Sequence, residues 1–95
     1  MKVFDMDNDI IKDILDTLAN KYQNIFILFA NIKGSEATFI ARSNSLVDAS
    51  KMIKLISVSA NGNGGGKSQF ARGAGKDISK IDDSFETIKQ GIING

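Results

Sequence analysis

The chain has 95 residues, 42% of them hydrophobic and 24% charged, with a net charge of +1. That balance excludes wholesale disorder and describes one globular domain, able to bury roughly 60–70% of its extended-chain surface. Cysteine and histidine are absent, which removes disulfides, thiol nucleophiles, histidine bases and the usual zinc sites.

In chain order, Lys2–Met6 reads as a short strand. Asp7 or Asn8 then caps a helix whose apolar residues Ile11, Ile14, Leu15 and Leu18 recur at helical spacing. Asn24–Ile32 carries a continuous apolar run at 25–30, as expected of a strand covered on both faces. That run is far too short to cross a bilayer, and the acidic N-terminus is no secretory signal, so a cytoplasmic protein with no membrane partner is expected. Lys33-Gly34-Ser35 turns the chain into Glu36–Arg42, where Ala37, Phe39 and Ala41 alternate with Glu36, Thr38 and Arg42. This is the pattern of an antiparallel hairpin partner with one wetter face. Asp48 is a good N-cap for a second helix displaying Ala49, Met52, Ile53 and Ile56. A glycine-rich loop follows, Phe70–Gly73 adds a short strand, and Asp77 caps a third helix striped with Ile78, Ile81, Phe85, Ile88 and Ile92. The fold class is α/β: a small single domain over residues 1–95, with a mixed β-sheet and helices packed on it. Its order is β-α-β-β-α-(Gly-rich loop)-β-α, with no internal repeat.

The glycine-rich stretch carries the chemistry. Residues 61–76 hold six of the nine glycines, and their only charges are Lys67, Arg72 and Lys76. Glycine permits positive φ and lets a ligand approach the main chain, and cations without acids suit phosphate. A flexible linker is the competing reading, but a linker needs no Phe70, which is expected to anchor the far end of the loop in the core. Charge is uneven along the chain. Residues 1–48 carry five cations and seven acids, whereas residues 49–95 carry seven cations and four acids. Between Lys51 and Lys80, six cations stand against Asp77 alone, a local field that attracts a polyanion.

Three known motifs come close and fail. Gly64-Gly65-Gly66-Lys67-Ser68 ends like a Walker A loop, but residue 61 is asparagine where the first glycine is needed. Val3-Phe4-Asp5-Met6-Asp7 looks like the first motif of haloacid-dehalogenase-type phosphatases, with Asp5 as nucleophile and Asp7 as acid/base. The residues that follow depart from that family, and acids at a helix N-terminus need no further reason than the macrodipole. An EF-hand loop starting at Asp5 has Ile10 where glycine is required.

From Asp48 onward, a helix with Ala-Ser-Lys-Met-Ile-Lys precedes Gly64-Gly65-Gly66-Lys67-Ser68-Gln69-Phe70-Ala71-Arg72-Gly73-Ala74-Gly75-Lys76-Asp77. This pattern resembles the C-terminal, DHH-associated domain of alanyl-tRNA synthetases over essentially the whole chain. Related domains follow the catalytic domain of DHH phosphodiesterases and single-strand exonucleases. Those usually place histidine after the triple glycine, where this chain has Lys67. Ser68, Ile78 and Ala74-Gly75 depart from the synthetase pattern. The resemblance implies binding without catalysis by this fragment, the parent chain being an alanine–tRNA ligase. The implied partners are tRNA(Ala), gripped at its outer corner, and the other domains of the parent. It implies no cofactor here, since zinc, magnesium and ATP belong to those other domains. The dimerising helical segment would precede residue 1, so an excised, monomeric fragment is expected. The candidate nucleic-acid-binding residues are Lys51, Lys54, Gly64, Gly65, Gly66, Lys67, Ser68, Gln69, Arg72, Gly75 and Lys76; the substrate-binding domain of a DHH phosphodiesterase is the alternative.

Overall fold

A computed structural model describes residues 1–94, with side chains through Gly91. The elements are β1 (Lys2–Phe4), α1 (Asn8–Lys21), β2 (Phe26–Lys33), β3 (Glu36–Ser43), α2 (Ala49–Ser59), β4 (Asn63–Gly66), β5 (Phe70–Gly75) and α3 (Ile81–Asn94). The five strands form one sheet in the order β1-β2-β3-β5-β4. β1 runs parallel to β2, and the other neighbouring pairs are antiparallel. A parallel pair needs a crossover, which α1 supplies.

α1 starts where Asp7 caps it, the carboxylate accepting the Asp9 N–H at 2.8 Å. Its buried residues Ile11 and Leu15 pack on Phe29 and Ile40 of the sheet, with Val3, Ile27 and Phe70 at the margins. The other sheet face is covered by α2 and α3, whose Ile53, Ile56, Ile81 and Ile88 meet Leu28, Ala30, Phe39 and Ala41. β2 thus sends alternate side chains into two cores, which is why its sequence is apolar without alternation. β3 does the same. Phe39 and Ile40 are consecutive and both buried, so the wetter face expected there is confined to Glu36, Thr38 and Arg42. Each such Leu, Ile or Phe stabilises the fold by roughly 1.5–3 kcal/mol relative to exposure.

The glycine-rich stretch is a hairpin, not a loop. β4 pairs with β5 from Asn63↔Ala74 to Gly66↔Ala71, and β5 continues two residues beyond the expected strand, to Gly75. The hairpin lies against α2, which Asp48 caps by accepting the Ser50 and Lys51 N–H groups at 2.9 and 3.4 Å. A Cβ on Gly64 would sit 2.6 Å from both Ile53 Cγ2 and Ser57 Oγ. Gly73, opposite Gly64, leaves no room for a Cβ beside Ser57, nor does Gly75 beside Ala60. These glycines let a helix approach strand backbone. Three consecutive glycines have no two-residue alternation to display, so the sequence of β4 reads as a loop.

Two further boundaries differ from the sequence reading. β1 ends at Phe4 rather than Met6, and Asp5 takes φ +53°. α3 begins at Ile81, not beside Asp77. The Asp77 carboxylate instead accepts the Ser79 N–H at 2.9 Å and the Ser79 hydroxyl at 2.6 Å, closing a turn of its own. Ile78 packs on the core from that turn, and Ile81 and Ile88 are buried from the helix. Phe85 is partly buried, and the Ile92 side chain lies outside the described residues. The Ser59 and Ser84 hydroxyls, 2.6 Å apart, tie α3 to α2.

Candidate nucleic-acid interface

β4 is an edge strand with almost no side chains. Lys67 donates its N–H to the Phe70 carbonyl at 2.8 Å, which sets the ladder's alternation. Gly65 and Asn63 then fall in hydrogen-bonded pairs with β5, and the N–H groups of Gly64 and Gly66 point to the open edge. The Gly62 N–H, in the same phase, turns away from β5 to the Ser57 carbonyl at 2.8 Å. Lys54 reaches this edge from α2: its Cε lies 3.6 Å from where a Gly65 Cβ would be. Outward backbone N–H groups beside an ammonium can hold a phosphate.

At one end of the hairpin, the turn at Lys67, Ser68 and Gln69 is pinned inward through its carbonyls. Ser68 O accepts the Ala49 N–H at 2.9 Å, and Gln69 O accepts from Ser43 N at 2.9 Å and Arg42 Nη1 at 3.0 Å. The Lys67, Ser68 and Gln69 side chains stay exposed. Arg72 is exposed on the sheet face away from α2, since its neighbour Gly73 faces that helix. At the other end, Gly75 is buried against Ala60, and Lys76 donates its N–H to the Ala60 carbonyl at 2.8 Å. Lys51 is exposed on α2, one turn before Lys54.

Arg72 lies two residues along β5 from Phe70, which stands opposite Lys67, whereas Lys76 lies at the other end of the hairpin. Six extended residues separate Phe70 from Lys76, about 20 Å of strand. The ion pairs among the described residues are Lys2–Asp82 at 2.8 Å, Lys12–Asp16 at 3.5 Å and Arg42–Asp16 at 3.4 Å. Lys51, Lys54, Lys67, Arg72 and Lys76 join none of them, so their charge is available to a ligand.

The sequence reading missed a cleft of about 480 Å³ at the Lys76 end, lined by Lys33, Thr38, Asn61, Asn63 and Ala74 among others. Lys33 ends β2 and Asn61 lies in the turn after α2, far apart in sequence, and only the sheet register brings them together. The acids at the N-terminus have a structural role, Asp7 serving as the α1 cap. No group of three or more His, Cys, Asp or Glu residues among those described is placed to hold a metal.

A profile of the DHHA1 domain matches residues 1–94. The chain belongs to the DHHA1 domain family. This DHHA1 domain is 35% identical over 92 residues to an alanine–tRNA ligase of Campylobacter jejuni subsp. doylei, covering 92% of the chain and 11% of the ligase. It is 36% identical over 80 residues to an alanine–tRNA ligase of a Sulfurovum species, covering 83% of the chain and 9% of that ligase. The chain thus spans about a tenth of the length of the curated relatives it matches. Its fold is that of the crystallised C-Ala domain from Aquifex aeolicus alanyl-tRNA synthetase. The TM-score is 0.85 at 20% identity, over 95% of this chain and 85% of that one. No helix among the described residues is long and apolar enough to cross a membrane.

Proposed function

We propose that this DHHA1 domain is the tRNA-binding C-terminal module of a cytoplasmic alanine–tRNA ligase. It grips the outer corner of tRNA(Ala) while other domains of the parent, with their zinc, magnesium and ATP, carry out aminoacylation and editing. The observation that carries this reading is the row of cations without acid partners among the described residues, Lys54, Lys67, Arg72 and Lys76, along a hairpin whose edge strand is bare backbone from Gly64 to Gly66. Lys51 extends the row on α2. Phosphate is the ligand that uses both features, through charge and through the Gly64 and Gly66 N–H groups. A folded RNA corner is then recognised by shape and backbone rather than base sequence. The similarity to alanine–tRNA ligases supports this choice of RNA.

Titration of labelled tRNA(Ala) with the chain at several salt concentrations tests the reading. If three phosphates are neutralised, the log–log slope is about −2 to −3, and folded tRNA competes better than single-stranded RNA of equal length. Preference for short single strands would move the domain to the DHH phosphodiesterase class. Hydrolysis of RNA or p-nitrophenyl phosphate that Asp5→Asn abolishes would overturn the binding-module reading.

A further inference from the structure

The chain treats its asparagines in two ways. Asn31 is buried, donating to the Met6 carbonyl at 2.7 Å and to Asn8 Oδ1 at 2.9 Å while accepting the Met6 N–H at 3.1 Å. Asn44 donates to the Ala19 and Tyr22 carbonyls at 2.9 and 2.7 Å and accepts from Ile25 N at 2.8 Å. Those amides hold the fold together. Asn61 and Asn63 are exposed, and their side-chain amides make no hydrogen bond among the described residues. Both line the cleft at the Lys76 end of the hairpin.

The floor of that cleft is flat because of sheet register. Thr38 pairs with Ala74, and Ala74 with Asn63, so three short side chains stand in a row on the face that α1 leaves open. Lys33 and Lys76 stand at its rim without ion-pair partners among the described residues, and Glu36, opposite Lys33 in the hairpin, offsets one of them. Arg72 lies one pair further along the same face of β5. A side-chain amide carries a donor and an acceptor side by side, as the edge of a nucleobase does. A flat floor, two free amides and flanking cations together match a base with its phosphate. The volume of about 480 Å³ falls in the range of small-ligand sites.

We propose that this cleft is a subsite for one unstacked nucleotide of the bound RNA. The base lies on Thr38 and Ala74, Asn61 and Asn63 bond its edge, and Lys33 and Lys76 hold its phosphate. The acids Asp5, Asp7 and Asp9 line a hollow on the far side that shares Lys33. They repel phosphate there, so the strand arrives from the Arg72 side. The inference rests on the RNA-binding reading and adds a base-contacting site that phosphate contacts alone do not require.

Ala74 is exposed, so Ala74→Leu fills the cleft floor without entering a core, and Asn63→Ala removes an amide without changing charge. Both variants are expected to weaken tRNA binding about tenfold. The salt slope stays unchanged, because no phosphate contact is lost. Lys76→Gln instead flattens the slope. In a second arm, AMP and CMP are titrated into the isotope-labelled chain, and amide shifts are expected at Lys33, Thr38, Asn63 and Ala74. Wild-type tRNA affinity in Ala74→Leu, or mononucleotide shifts absent from these residues, overturns the subsite. If the wild-type chain fails to bind tRNA, the RNA reading falls by itself, and the mononucleotide arm still decides the cleft.

Discussion

The hydroxyl of Ser57 on α2 fills the space where a Cβ on Gly73 of β5 would have to lie. Gly64, across the hairpin from Gly73, meets the same hydroxyl, so one serine closes on two strands. That Oγ is buried and has no hydrogen-bond partner among the described residues. The contact fixes how closely α2 approaches the hairpin, and with it the distance from Lys54 to the β4 edge.

Gly73→Ala therefore overpacks this contact and should destabilise the chain by about 1–3 kcal/mol. Ser57→Ala removes a buried unsatisfied hydroxyl and should be neutral or slightly stabilising. The double variant should recover part of the loss, since some of the clash is with the hydroxyl itself. Urea unfolding midpoints read all three. An unaltered midpoint for Gly73→Ala would show that α2 does not press on the hairpin.

Phe70 anchors the hairpin, though less deeply than the sequence suggested. It is half-buried beside Ile11, Leu15, Phe29 and Ile40, with Lys12 Nζ 5.9 Å from the ring centroid. Phe70→Ala should cost about 1–2 kcal/mol, below the range of ~3–5 for a fully buried phenylalanine. Thermal unfolding checks this. A loss in the full-burial range would place the ring inside the α1 core.

The spacing of Lys67, Arg72 and Lys76 has a consequence for RNA binding. Lys67 and Lys76, at opposite ends of the hairpin, act independently, so each single substitution to Ala should reduce the salt slope by about 1 or less, and those two losses should add. Strong non-additivity between Lys67 and Lys76 in tRNA titrations would mean that the two cations share one phosphate after all.

Acid should weaken the turn before α3. The Ser79 hydroxyl first, then the Ser79 backbone N–H, holds the Asp77 carboxyl below its usual value; Lys80 adds to this and burial opposes it. A depressed native pKa contributes stability that is present above the unfolded value, near 3.8. That contribution is lost as pH falls through the lower native value. Ser79→Ala should be less stable than wild type at neutral pH, and the gap should close in strong acid. A gap of the same size across denaturation curves at both pH values would exclude the carboxylate as its source.

The sequence by itself determined the elements that own a periodicity or a cap. Ile11 and Leu15 mark α1, Ile53 and Ile56 mark α2, Asp7 and Asp48 cap them, and the run at 25–30 announces a strand with two covered faces. Those signals are local, set by residues within one or two turns of each other. The candidate cations were legible for the same reason, as a composition of neighbours in sequence. Tertiary structure alone decided that Asn63–Gly66 is a strand, because glycines record no alternation and their pairing is imposed by β5 and by the approach of Ser57. It also decided that Lys67 and Lys76 stand at opposite ends of a hairpin, and that Lys33, Asn61 and Asn63 share one cleft. Sheet register brings distant residues side by side, and register is a property of strand pairs that no single segment contains.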